Sequence, residues 1–186
     1  MEDKTAEKKI YSSGYAGTIP GVHKEINEDF VIFFEKEPEG TVGASNLYVL
    51  TDGVTGTFHP EITARFAGKK ILYEYFKSAD FIDANKLALA MRNANNEIYA
   101  YAELKQEKMA TVALATAITD GNAVIGTIGD SRVYVVRNDK VYQITEDQNI
   151  LEEKVRKGEL TKEEAFETDA QKPVIRTLGS EKDIVV

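Results

Sequence analysis

Apolar residues along this chain fall first into short strand-like runs, then into two long helical stripes, then into strands again. Phe30-Val31-Ile32-Phe33-Phe34 is apolar at every position, which predicts a strand covered on both faces and therefore central in its sheet. Leu47-Tyr48-Val49-Leu50-Thr51 predicts the next strand, ending abruptly at Asp52-Gly53. After that the period lengthens. Ile62, Phe66, Ala67, Ile71 and Tyr75 recur at helical spacing behind His59-Pro60-Glu61, where Pro60 suits a first turn. Leu87, Met91, Ala94, Ile98 and Tyr101 predict a second helix from about Asp83, with the stripe buried against a sheet. From Ala110 the pattern alternates again, with Val112, Leu114 and Ile118 on one face and Ala113, Ala115 and Ala117 on the other. Asp120-Gly121 predicts a hairpin turn into Ala123 to Ile128. Arg137-Asn138-Asp139-Lys140 predicts a second hairpin, between Val133 to Val136 and Val141 to Ile144. A helix over Ile150 to Arg156 is closed by Gly158, and Thr161-Lys162-Glu163-Glu164 has the capping-box spacing that opens a short helix.

The flanks are less regular. Met1 to Lys9 is charged and aperiodic and reads as a mobile arm (residues 1–9), and residues 10–186 read as one domain. Ile10 to Thr18 is expected to form a first strand, followed by a loop from Ile19 to Asp29. Glu35 to Ser45, holding Pro38, Gly40 and Gly43, reads as a connection. Strands, a helix pair, strands and then short helices describe an α+β protein with a largely antiparallel sheet.

Composition narrows the chemistry. With 23 basic and 31 acidic residues the net charge is −8, a poor match for nucleic acid or an anionic membrane. The absence of cysteine excludes disulfides, zinc–thiolate sites and thiol nucleophiles. His23 and His59 are the only histidines, too few for a multi-histidine metal centre. No apolar run approaches the roughly 20 residues of a membrane span, so a cytoplasmic soluble protein is expected.

Three acidic sites sit where strands are expected to start or stop: Glu28-Asp29, Asp52 and Asp130. Carboxylates beside free backbone carbonyls suit Mg²⁺ or Mn²⁺, which take oxygen ligands, and two such ions can activate a water for attack on phosphorus. Lys24, four residues before Glu28, could neutralise an anionic phosphoryl group. Spacing alone leaves a metal site and a set of solvated loop acids as equal alternatives.

The order of the motifs carries more. Lys24-Glu25-Ile26-Asn27-Glu28-Asp29, Thr51-Asp52-Gly53-Val54-Thr55-Gly56, Gly129-Asp130-Ser131-Arg132, Ile144-Thr145-Glu146-Asp147-Gln148 and Ile175-Arg176-Thr177-Leu178-Gly179 succeed one another along the chain. In sequence and spacing they resemble the metal-dependent serine/threonine protein phosphatases, the PPM or type 2C family, over about residues 14 to 180. The resemblance implies a four-layer α-β-β-α sandwich, two mainly antiparallel sheets flanked by helices. It also implies a dinuclear Mn²⁺ or Mg²⁺ centre at one end of the sheets and phosphoserine or phosphothreonine in proteins as substrate. By that resemblance Asp52 bridges the two ions and the Gly53 carbonyl binds one. Glu28 and Asp29 hold a metal or its water, and Asp130 contributes to a weaker third site. Catalysis is then expected of Asp52 and Glu28, and phosphate binding of Lys24.

Four departures qualify the expectation. Lys24 stands where arginine is usual, keeping the charge but losing the two-pronged fork. Val54 stands where animal members carry histidine, which leans towards a bacterial type; His59 nearby reads as a surface residue. Met109-Ala110-Thr111 replaces a common Gly-Thr-Thr, a change read as packing. The family's later Ser-Asp-Gly and Asp-Asn motifs, which bring further aspartates to the metals, do not occur before Val186. Missing C-terminal strands would leave the second metal site incomplete and expose a sheet edge prone to self-association. The rival expectation is therefore a PPM-like module that binds a partner or regulates without hydrolysis.

Overall fold

The computed structural model describes residues 13–22, 24–35, 46–77, 84–119, 121–168 and 172–186. The expected arm over Met1 to Lys9, Ile10 to Ser12 of the expected first strand, His23, Lys36 to Ser45, Asp83 and Asp120 lie outside the described residues. The chain is α+β, with two antiparallel sheets and flanking helices. Strands β1 (Asp29–Phe34), β2 (Asn46–Gly53), β3 (Thr111–Thr119) and β4 (Asn122–Ile128) form a four-stranded sheet in the order β1-β2-β3-β4. Helices α1 (Pro60–Lys77) and α2 (Ala84–Lys105) connect β2 to β3. A separate hairpin of β5 (Tyr134–Arg137) and β6 (Lys140–Gln143) is followed by α3 (Ile150–Arg156) and α4 (Lys162–Glu167).

Side-chain alternation divides the large sheet into two faces. Leu47, Val49 and Thr51 of β2 share a face with Ala117, Ala115 and Ala113, their register partners on β3, and all six are buried beneath the helices. The alanines matter because small side chains let α1 and α2 approach the sheet closely. Gly68 of α1 lies so near the Phe30 ring that a Cβ there would come within 2.8 Å of it. Thr51 Oγ1 donates to the Ala64 carbonyl of α1 at 2.8 Å, joining strand and helix through a fully buried hydroxyl. Ile71, Tyr75, Leu87, Met91, Ala94 and Ile98 complete the core.

The hairpins and caps follow local rules closely. Asn138 and Asp139 have φ of 52° and 59°, the doubly left-handed pair that a two-residue hairpin needs to match strand twist. Asn149 caps α3 through its side chain, and Gly158 at φ 73° ends it. The Gly158 and Glu159 amides return to the Val155 and Lys154 carbonyls, both at 2.9 Å, completing a Schellman ending. Thr161 and Glu164 make the reciprocal capping box that opens α4.

Three expectations are corrected. Residues 13–18 form no strand; the Gly14 amide instead donates to the Glu35 carboxylate, while Tyr15 and Ile19 stand exposed. β1 is an edge strand and not a central one, since among the described residues only β2 pairs with it. Its two-sided apolar pattern has another cause. Phe30 and Phe34 pack towards α1, whereas Phe33 stacks on Tyr48 across the opposite face at 5.8 Å. In the helices Ile62, Phe66 and Tyr101 are exposed, and the contact faces instead carry Thr63, Ala64, Gly68 and Asn95. Small and polar residues escape a stripe drawn from large apolar ones.

Candidate active site

The antiparallel register places Asp29 directly opposite Asp52 across β1 and β2. Because Thr51 turns towards α1, alternation turns Asp52 to the open face, and Asp29 with it. Gly53 ends the strand where α1 begins: a Cβ there would sit 2.2 Å from the Pro60 carbonyl oxygen, so only glycine permits this approach. The Gly53 amide donates to the Glu28 carbonyl at 3.0 Å, tying the loop before β1 to the end of β2. Asn27 shapes that loop, its Oδ1 accepting from the Asp29 amide at 3.0 Å.

Electrostatics mark the same spot. Burial and the charge of Asp29 push the Asp52 carboxyl up to about 6, aided by a hydrogen bond between the two side chains and more weakly by Asp130. Lys24 acts in the opposite direction. Its ammonium pairs with Glu28 Oε2 and donates to Thr55 Oγ1 at 2.9 Å, and Thr55 Oγ1 donates to the same Glu28 oxygen at 2.6 Å. Burial raises the Glu28 carboxyl, but the hydrogen bonds from Lys24 and Thr55 outweigh it and hold the group below its ordinary range. The hydrogen bond to Glu28 holds Lys24 above its own ordinary value against partial burial.

The structure thus brings Glu28, Asp29, Asp52 and Lys24 to one strand end, with Asp130 near enough for its charge to reach Asp52. Among the described residues, no three His, Asp or Glu side chains are grouped closely enough to hold a metal ion as they stand. The Asp29–Asp52 pair still fits a divalent cation in kind, since it offers oxygen donors and a like-charge repulsion that such an ion relieves. His59 belongs to the start of α1, with an exposed ring near Glu61 at 3.3 Å, as expected of a surface residue.

Contacts between the later motifs explain their succession. Arg132 grips Asp147 with a two-pronged fork, Nε to Oδ1 at 2.7 Å and a terminal nitrogen to Oδ2 at 2.5 Å. Gly129 exchanges with Gln148: the Gln148 amide donates to the Gly129 carbonyl, and the Gly129 amide donates to Gln148 Oε1, both at 3.0 Å. Leu178 bridges back to Thr111 at the start of β3, and Asn95 Oδ1 accepts from the Gly179 amide at 2.8 Å. A groove of about 430 Å³ opens beside this clamp, lined among others by Arg132, Asp147, Lys162, Phe166 and Lys172, but by none of Glu28, Asp29, Asp52 or Asp130. Sequence reasoning missed Thr55 and Asn95. Neither titrates near neutral pH, so a search for ionisable residues passes over both.

The chain as a whole is similar to known protein phosphatases. The sequence profile described as Protein phosphatase 2C matches residues 25–177, from the Lys24–Asp29 loop to the threonine before Leu178-Gly179. The serine/threonine phosphatase Stp of Listeria innocua is 27% identical over 166 residues, covering 86% of this chain and 64% of the relative. The solved structure of Stp1 from Staphylococcus aureus is 26% identical with a TM-score of 0.78, covering 95% of this chain and 73% of that one. The catalytic domain of the phosphatase PstP, solved in complex with two manganese ions, is 27% identical with a TM-score of 0.66, over 86% of this chain and 64% of that one. The chain spans less than two thirds of the length of the first curated relatives it matches. Strand ends, paired aspartates and motif-to-motif contacts thus coincide with a profile match over most of the chain, which belongs to the protein phosphatase 2C family.

Proposed function

We propose that this chain acts as a metal-dependent protein phosphatase, hydrolysing phosphoserine and phosphothreonine in protein substrates with Mn²⁺ or Mg²⁺. The observation that carries the reading is the Asp29–Asp52 pair at the end of β1 and β2, with the Lys24 ammonium close enough to act on Asp52. In this reading Asp52 and the Gly53 carbonyl hold the cation with Glu28 and Asp29, and Asp130 serves a weaker neighbouring position. When bound, the cation would offset carboxylate repulsion and polarise water for attack on phosphorus. Glu28 orients that water, and Lys24 receives the phosphoryl oxygens as a point charge. Residues 10–186 act as one domain in this reading. A chain without cysteine suits the cytoplasm, and among the described residues no helix is long and apolar enough to cross a membrane. The outer edge of β1, unpaired among the described residues, is proposed to mediate self-association.

The test is release of phosphate from a phosphothreonine peptide with Mn²⁺, for the wild type and Asp52→Ala. Activity is expected to vanish with the substitution and with chelator. Turnover that survives both would falsify the reading.

A further inference from the structure

Lys24, Thr55 and Glu28 close a triangle of hydrogen bonds between two loops, one entering β1 and one leaving β2. The donor inventory of the triangle is informative. The Thr55 hydroxyl has one proton, given to Glu28 Oε2, and one of its lone pairs is taken by Lys24. Lys24 has three protons, two of them engaged by Glu28 and Thr55, which leaves one for an incoming oxygen. Glu28 Oε2 accepts two donors, which leaves Oε1 uncommitted. A lysine head on a four-carbon stem is otherwise a mobile point charge, without the rigid fork of arginine. Thr55 is exposed, so burial in the core does not account for these contacts.

We propose that Thr55 is a positioning residue, whose hydroxyl fixes the Lys24 ammonium against Glu28 so that its remaining proton meets a phosphate oxygen. The inference rests on the phosphatase reading for the ligand's identity, but its geometry belongs to this chain. Binding of inorganic phosphate with Mn²⁺ present, measured by calorimetry on the full chain, separates the two. Thr55→Val is expected to weaken phosphate binding about tenfold, the scale of one charge-assisted hydrogen bond, and Thr55→Ser to stay within about twofold of wild type. In a Lys24→Met background, Thr55→Val is expected to change nothing further, because the effect passes through the ammonium. Thr55→Ala, which removes the methyl as well, is expected to match Thr55→Val. An unchanged affinity in Thr55→Val, an equal loss in the Lys24→Met background, or a wild type that binds no phosphate would each overturn the proposal. Phosphopeptide turnover is scored apart: a wild type that binds phosphate through Thr55 but releases none from peptide refutes the phosphatase reading and supports the positioning role.

Discussion

The two faces of the four-stranded sheet are built from the same strands to opposite ends. On the covered face, alanines, Leu47 and Val49 lie fully buried under α1 and α2, and the buried Thr51 hydroxyl is bonded to the helix backbone. On the other face, Phe33 and Leu50 remain 41% exposed, and the strand ends carry the opposed Asp29 and Asp52. Stability is concentrated on the first face and unfavourable electrostatics on the second. Each affords the other its place, since a carboxylate held against its neighbour persists only where the surrounding structure fixes it.

Perturbations should therefore differ in size and even in sign between the faces. Ile71→Ala empties a fully buried position and should lower the unfolding free energy by about 3–4 kcal/mol in a denaturant titration. Leu50→Ala on the open face should cost about 1 kcal/mol or less, and equal losses would abolish the contrast. Asn95→Ala should cost about 2 kcal/mol, because the Gly179 amide and two tail carbonyls, of Glu181 and Lys182, lose a buried partner. Hydrogen exchange should then speed up at Gly179.

Asp52→Asn should act in the opposite direction. In metal-free protein the Asp52 carboxyl is held near 6, above its unfolded value, so the native state binds more protons than the unfolded chain between about pH 4 and about pH 6. Stability should fall as pH rises through that window and stay lowered above it. The amide removes that loss, raising stability near pH 7 by about 1 kcal/mol once solvent screening of a half-buried group is allowed for. Thermal melts of both proteins at pH 4.5 and pH 7 measure the difference, and an Asp52→Asn variant less stable at both would reverse the assignment. A small thermodynamic effect, about 1 kcal/mol or less, is also expected from Phe33→Lys, which loses the cross-strand stack on Tyr48. Its effect should appear instead in sedimentation, where a charge on the edge strand should reduce self-association.

Local chemistry was the most legible part of the sequence. The hairpin at Asn138-Asp139, the span of α3, its Gly158 ending and the Thr161 capping box all stand as the residues imply, because each is decided within a few positions. The edge position of β1 was not legible, because an apolar pattern reports what covers a strand and not which strands pair with it. The α1 contact face escaped for a related reason. Closeness there depends on Gly68, which has no side chain to give a hydrophobic signal, and the face also carries the small Ala64. At the candidate site, Asp52 and Glu28 stood out as charges beside expected turns, and only their order with the later motifs linked them to a family. The Thr55 hydroxyl could not, since its role arises only when two loops 27 residues apart meet.

The pairing of Asp29 with Asp52 also bears on how such a site tolerates change over evolutionary time. Six consecutive residue pairs lock β1 to β2, so the spacing of the two carboxylates is set by the repeat of the sheet and not by any one rotamer. A substitution within either strand leaves that spacing alone. A single inserted residue between Asp29 and Phe34 would force a choice between keeping the phenylalanines against α1 and keeping the acids opposed, because a one-residue slip reverses every side chain. Lineages of this chain should therefore reject insertions and deletions within β1 more strongly than side-chain changes at its exposed positions.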